Sequence, residues 1–259
     1  MKHKRIAAMT LFGVALLALA AQPAAAADST TDDLISSLNQ ELLFVAVPIT
    51  LLVEGILIYT VVRFKDNDEA KPTRENRRLE ITWTIATAVI LLFVGVGAYN
   101  VMGSGDVIAT QDIQPDENDE VINVTAQRYA WTFEYERHNV TTGTLAGPGV
   151  SEGPLVIPAN EKVYLNIGTR DWLHAFHVPE LGLKQDAVPG QQNMIRTEAL
   201  EPGNTYQGYC AEYCGQGHSQ MMFEVEVVTQ EEYEQRMDEL SSGNETSGNA
   251  TSGNASVAA

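Results

Sequence analysis

The stretch Cys210-Ala211-Glu212-Tyr213-Cys214-Gly215-Gln216-Gly217-His218-Ser219-Gln220-Met221 holds both cysteines of the chain, an imidazole and a thioether. Thiolate and thioether are soft ligands and imidazole is borderline, a set that selects copper or zinc over hard cations. One Cys with two His and a weak Met would make a mononuclear blue-copper site. A second Cys four residues along supplies another bridging thiolate, so that two copper ions can share both sulfurs. An electron spread over two metals changes each bond length little, which favours fast transfer. The second imidazole is expected from Asp171-Trp172-Leu173-His174-Ala175-Phe176-His177-Val178-Pro179. His174 and His177 are three apart, so on an extended strand they face opposite sides and only one reaches the metals. His174 is the expected ligand and His177 is not. A disulfide between the two cysteines would not call for His218 and Met221. A structural zinc site has no use for Met. Copper is the reading that uses every one of these residues.

The elements that position these ligands read as strands. Val121-Ile122-Asn123-Val124-Thr125 and residues 129–135, 162–167, 194–197 and 222–228 are short, β-branched or aromatic, and often alternating. Turn material such as Ala146-Gly147-Pro148-Gly149 and Glu201-Pro202-Gly203-Asn204 separates them. A small antiparallel sandwich or barrel is expected, followed by a charged helix over residues 229–240. Residues 241–259 then repeat Ser-Gly-Asn with a period of five, without an apolar face. That composition predicts a disordered tail, and its three units offer Asn244, Asn249 and Asn254 as glycan acceptors.

The chain of 259 residues starts with Lys2, Lys4 and Arg5, an apolar run over residues 6–21 and an Ala-rich end. This predicts a secretory signal over residues 1–27. Two apolar stretches, residues 42–62 and 81–102, each reach the ~20 residues that a spanning helix needs, so residues 28–105 are expected to form a transmembrane hairpin. Glu54 within the first span is expected to face protein rather than lipid. Between the spans stand Arg63, Lys65, Lys71, Arg74, Arg77 and Arg78, whereas residues 28–41 and 103–127 hold no Lys or Arg. The positive-inside rule puts that loop in the cytoplasm and both termini outside. The exported residues 106–259 carry 24 Asp plus Glu against seven Lys plus Arg, a balance of −17. Such a surface attracts a basic partner protein or serves a halophile, where salt screens self-repulsion. Acids spread along the whole segment favour the second, and a halophilic archaeal source is the expectation. No nucleic-acid partner is expected.

Over roughly residues 40–235 the sequence resembles subunit II of the cytochrome c oxidases. The motifs are Cys-x-Glu-x-Cys, Gly-x-Gly-His-Ser-x-Met, and Leu-His-x-Phe with Val-Pro-Glu-Leu-Gly-Leu-Lys-Gln-Asp-Ala-Val-Pro-Gly. The resemblance implies a two-helix membrane anchor and, over residues 106–240, an all-β cupredoxin domain (a Greek-key sandwich or barrel) with a dinuclear copper centre. It makes Cys210 and Cys214 the bridging thiolates, His174 and His218 the imidazole ligands and Met221 a weak axial ligand. Glu212 becomes a ligand through its carbonyl, with its carboxylate reaching a magnesium ion at the interface with subunit I. The run Glu80-Ile81-Thr82-Trp83-Thr84 resembles the start of the family's second helix, where a Glu stands at the mouth of a proton path; a solvated helix-end carboxylate is the alternative. Arg128-Tyr129-Ala130-Trp131-Thr132-Phe133-Glu134-Tyr135 resembles the aromatic strand that receives the electron, with Tyr129 where the family has Trp. Tyr129, Trp131 and Phe133 share strand parity, so the deeper ring is expected to pack and Tyr129 to meet the donor, a c-type cytochrome or a small blue-copper protein. Electrons then pass to a haem-bearing partner subunit that reduces oxygen and pumps protons. A copper subunit of a nitric-oxide reductase shares this chemistry, and a membrane-anchored copper delivery or storage protein is the alternative of another class.

Overall fold

The computed structural model describes residues 27–69, 71–72, 74–104, 106–107 and 114–248. The expected signal segment, except Ala27, and the repeat from residue 249 onward lie outside the described residues. The chain divides into two compact units, one containing Ser36–Asn100 and the other Ala27–Ile35 with Val101–Ala259.

Helix α1 spans Thr30–Phe64 and α2 spans Arg77–Met102. Ser29 caps α1, its Oγ accepting the Asp32 N–H at 3.0 Å, and Asn76 Oδ1 does the same for the Leu79 N–H of α2 at 3.2 Å. Such caps satisfy amide donors that the first helical turn leaves unpaired. Both helices are long and apolar enough to cross a bilayer, and side chains such as Phe44, Leu91 and Leu92 stand exposed along them. Water would not tolerate that face, whereas hydrocarbon solvates it, and a helix pairs its backbone polar groups within itself except where Pro48 interrupts α1. Glu54 is half-buried on α1, and Glu80 is exposed in the first turn of α2.

The second unit is a two-layer β structure. One sheet runs in the order β4(Ser151–Glu152), β3(Val140–Gly143), β2(Ala130–Tyr135), β1(Glu120–Gln127), β6(Val163–Thr169), β9(Asn193–Thr197). The other runs β5(Leu155–Pro158), β11(Met222–Val228), β10(Thr205–Cys210), β7(His174–Val178), β8(Leu183–Ala187). Alternation buries Ile122, Val124 and Ala126 of β1, and Trp131, Phe133 and Tyr135 of β2. The pairing is mixed: β1 with β6, β11 with β5 and β3 with β4 are parallel, which corrects the purely antiparallel expectation. Alternation within a strand reports which side is buried, not the direction of its neighbour.

Two boundaries also differ from expectation. Residues 28–31 belong with the β layers: Thr30 N–H bonds to Glu198 O and Leu200 N–H to Asp28 O, both at 3.0 Å, while Ser29 Oγ donates to Leu181 O at 2.8 Å. Helix α3, Gln230–Gly248, runs past Leu240 into the first repeat unit. Its start is capped by Thr229 Oγ1, which accepts the Glu232 N–H.

Trp131, Phe133, Phe176 and Phe223 fill the middle of the sandwich, with Phe176 and Phe223 stacked at 4.8 Å and Trp131 edge-on to both. Such aromatic pairs add about 0.5–1.5 kcal/mol each beyond their area. Gly208 permits this, since a Cβ there would lie 2.2 Å from the Phe223 ring. At the other end of the core, the fully buried Tyr135 hydroxyl accepts the Val156 N–H at 2.7 Å. Tyr135→Phe leaves that amide buried without a partner and should cost about 1–3 kcal/mol. A denaturation midpoint equal to the parent's would show that the amide finds another acceptor.

Candidate metal centre

The loop over residues 211–221 closes the β10–β11 hairpin, whose last paired residues are Tyr209 and Met222. Cys210 N–H donates to Met221 O at 3.0 Å and Ala211 N–H to Ala175 O at 2.9 Å, which ties the loop to β7. A short 3-10 turn, His218–Gln220, then folds the loop back. Gly215 adopts φ +133°, a conformation that L side chains rarely take.

Inside this frame the sulfurs of Cys210 and Cys214 lie 3.9 Å apart, and both residues are buried. His174 Nδ1 is 3.7 Å from Cys210 Sγ, and His218 Nδ1 is 3.7 Å from Cys214 Sγ. Met221 Sδ stands 4.0 Å from Cys214 Sγ, and the Glu212 carbonyl oxygen is 3.2 Å from Cys210 Sγ. The ligand atoms of His174, Cys210 and Cys214 all fall within 4.8 Å of one another. A disulfide needs its sulfurs about 2.05 Å apart, which this spacing does not give. Burial pushes the Cys214 thiol up to about 11, with the neighbouring Cys210 adding to the effect. A metal ion bound there would take the place of the thiol protons.

The orientation of His174 comes from a residue whose role the sequence did not disclose. Asp171 Oδ1 lies 3.0 Å from His174 Nε2. An ionised carboxylate only accepts, so Nε2 carries the hydrogen and Nδ1 turns its lone pair towards the cysteines. Partial burial alone would raise the Asp171 carboxyl. Hydrogen bonds from the Arg128 N–H (3.0 Å), His174 and the Trp172 N–H (2.7 Å) outweigh it and hold the group below its ordinary value. The Asp-x-x-His spacing was the available signal. His177 points away: its Nδ1 contacts Leu183 O at 2.8 Å, as strand parity requires.

Trp131 is buried against the loop, its Nε1–H reaching Met221 O at 3.4 Å and its ring edge-on to His174 at 6.3 Å. Tyr129 is 37% exposed. It lies in the turn before β2 rather than on the strand with Trp131 and Phe133, which corrects the parity expectation. The ladder between β1 and β2 ends at the pair Gln127–Ala130, so Arg128 and Tyr129 form the turn, where alternation no longer applies. From there the Tyr129 ring lies over the metal loop: a Cβ on Gly217 would stand 2.5 Å from the ring, and one on Gly215 2.5 Å from the hydroxyl. Glu80 lies in the other compact unit.

A membrane-anchored β-sandwich whose hairpin loop presents paired thiols, imidazoles and a thioether is thus the class that fold and site define. The model of the cytochrome c oxidase subunit II transmembrane domain matches residues 15–101, and that of the periplasmic domain of the same subunit matches residues 136–228. The chain belongs to the cytochrome c oxidase subunit II family, the copper-binding subunit of haem-copper oxidases. It is similar to cytochrome c oxidase subunit 2 of Alkalihalophilus pseudofirmus, with 32% identity over 200 residues, covering 75% of this chain and 55% of that one. The subunit 2 of Synechocystis sp. is 28% identical over 255 residues, covering 82% of this chain and 73% of its own. The chain thus spans little more than half the length of the first of these relatives. A solved structure it resembles is the periplasmic domain of subunit II of cytochrome oxidase from Bradyrhizobium japonicum, with 24% identity, a TM-score of 0.45, and coverage of 51% of this chain and 99% of that one. The relatives do not favour the nitric-oxide reductase or copper-storage readings.

Removing the orienting carboxylate tests the geometry. Asp171→Ala should weaken copper binding by about 10–100-fold, the usual effect of losing such a partner, with both cysteines still coordinating. Titration against a competing chelator measures this, and an unchanged affinity would mean that packing alone orients His174.

Proposed function

We propose that the chain is the electron-entry subunit of a haem-copper terminal oxidase, with two copper ions held by Cys210, Cys214, His174, His218, Met221 and the Glu212 carbonyl. The observation that carries this reading is the pair of buried sulfurs 3.9 Å apart, each with an imidazole nitrogen at 3.7 Å. That separation is less than twice a metal–thiolate bond of about 2.3 Å, so Cys210 and Cys214 could hold copper together. The donor set fits as well, soft sulfur with neutral imidazole. Bound there, the copper pair supplies a one-electron relay. The chain's own part is to keep the ligands still and water out. Met221, Cys210 and Cys214 are nearly inaccessible to solvent, and the hairpin backbone is tied to β7 at Ala175.

Tyr129, exposed and lying on the metal loop, is the proposed meeting point for an external donor, a c-type cytochrome or a small blue-copper protein. The buried Trp131 links that turn to the Met221 carbonyl. Electrons leave to a haem-bearing subunit I in the membrane, where oxygen is reduced and protons are moved. Glu80 at the start of α2 is proposed for the mouth of a proton path, and the Glu212 carboxylate for a magnesium ion at the subunit interface. Residues 1–27 are proposed as a cleaved signal and the Asn-rich tail as a glycosylated appendage. The copper domain then faces the outside of the cell membrane.

Copper-reconstituted protein should be purple and hold two ions of mixed valence. Cys210→Ser and Cys214→Ser should each abolish that spectrum, and one zinc ion per native chain would overturn the reading. Tyr129→Leu should slow reduction by the donor about tenfold or more, the scale of one lost contact worth about 1.4 kcal/mol. The copper spectrum and reduction by a small chemical reductant should stay as they were. Unchanged donor kinetics would move the entry point elsewhere.

The external balance of −17 is proposed as salt adaptation. At 1 M salt the range of repulsion shrinks to ~3 Å, so melting temperature should climb with salt. A flat response would assign the acidity to attracting a basic donor.

A further inference from the structure

Strands β7 and β10, with the start of β11 and the residue before it, carry soft side chains on both faces. The inward set is the metal centre, with His174, Cys210 and Met221 buried. The outward set is His177, Tyr209 and Met222, and the register places them in one row, since Tyr209 pairs with His177 on one side and with Met222 on the other. His174 and His177 are an odd number of residues apart, and so are Met221 and Met222. The same two residue types therefore appear once inside and once outside.

An open cavity of about 530 Å³ is lined by His177, Tyr209 and Met222 together with Cys210 and His218. Lys184 lines it too, with its ammonium turned to Asp186 at 3.0 Å. The His177 Nδ1 contact to the Leu183 carbonyl, an acceptor only, fixes the hydrogen on Nδ1 and leaves Nε2 as a bare lone pair. A backbone carbonyl holding one ring nitrogen is the support that metal-ligating histidines commonly have. Met222 is 46% exposed, an unusual setting for a thioether that packs no core.

We propose that this cavity is the copper entry site of the protein, where a cuprous ion is caught by His177 Nε2 and Met222 Sδ before it reaches the buried cysteines. The inference rests on the copper-centre reading above. Imidazole and thioether suit a soft monovalent ion and hold it less firmly than thiolate, so the ion passes inward by ligand exchange. Residues Cys210 and His218 border the same cavity, and in this proposal Cys210 Sγ and His218 Nδ1 take the places of the outer pair. The Cys210 thiol proton leaves to water as the sulfur–copper bond forms, and the ion stays cuprous throughout. Entry through the mouth spares the hairpin from opening to admit a hydrated ion.

The test uses the full chain in detergent, stripped of copper, and mixed with less than one equivalent of cuprous ion held by a weak chelator. Loss of the two free thiols to a thiol reagent reports arrival at the cysteines. His177→Gln and Met222→Leu should each slow that arrival about tenfold, the scale on which one supporting contact of a metal site shows, with the final copper content equal to the parent's. Lys184→Gln should leave the rate unchanged or raise it. Met222→Leu is isosteric and lies at the surface, so it carries the test should His177→Gln disturb β7. Parent-like rates in both variants, with normal final copper, would overturn the entry site alone. A parent chain that never protects its thiols would overturn the copper-centre reading and the entry site with it.

Discussion

Two sulfur atoms held 3.9 Å apart in a buried hairpin are the constraint on which the rest of the structure depends. The Cys214 thiol does not ionise readily there. The burial that pushes Cys214 up to about 11 would make a pair of bare thiolates prohibitive, because like charges at that range in a medium of low dielectric repel strongly. A cation held by Cys210 and Cys214 would offset that repulsion. The same burial that disfavours the empty ionised site therefore favours the filled one, and it ties metal binding to the folded hairpin. The surroundings serve that geometry. Backbone bonds from Cys210 to Met221 and from Ala211 to Ala175 fix the loop on both sides, and Asp171 sets the lone pair of His174. An aromatic layer of Trp131, Phe176 and Phe223 backs it, with rings in contact at 4.8–5.8 Å.

Rigidity is the functional consequence. A centre that passes single electrons gains from ligands that barely move between oxidation states, and a site on strands and a strapped hairpin moves less than one on a free loop. The same economy explains the glycines. Gly215 and Gly217 leave the space into which the Tyr129 ring settles, so an exposed aromatic lies against the metal loop without a side chain between them. Gly208 does the equivalent beneath the loop for Phe223.

The candidate ligand cluster was legible because its information is local. Two cysteines four apart with His218 and Met221 beyond them state a ligand set whatever fold surrounds them, and strand parity separates His174 from His177 before any coordinates. The two membrane helices were legible for a similar reason, since length and apolar character are properties of a single segment. What needed the structure is non-local. Tyr129 falls outside the strand because the ladder stops at Gln127–Ala130, a matter of pairing between strands. Asp28 and Ser29 join the β layers through partners at Leu181, Leu200 and Tyr206, more than a hundred residues away. The parallel pairings of β1 with β6 and β11 with β5 leave no mark in alternation. Asp171 lay in plain view three residues before His174, yet Asp-x-x-His acquires meaning only when the carboxylate is seen held by two backbone N–H groups and facing the ring.

Trp131 and Tyr129 show how one aromatic pair divides two tasks. Trp131 is 1% exposed and donates its indole hydrogen towards Met221 O, so it belongs to the frame that holds the ligands and offers an incoming protein nothing to touch. Tyr129 has no place in the core and keeps more than a third of its surface in solvent. A residue that only packed would gain by sinking further, since each apolar Å² removed from water is worth about 25 cal/mol. The turn instead holds the ring at the surface over the one loop that carries both cysteines. Arg128, its neighbour, lies over Trp172 at 4.8 Å while its own N–H holds Asp171. The turn that displays Tyr129 outward therefore also reaches inward, through Asp171, to the orientation of His174.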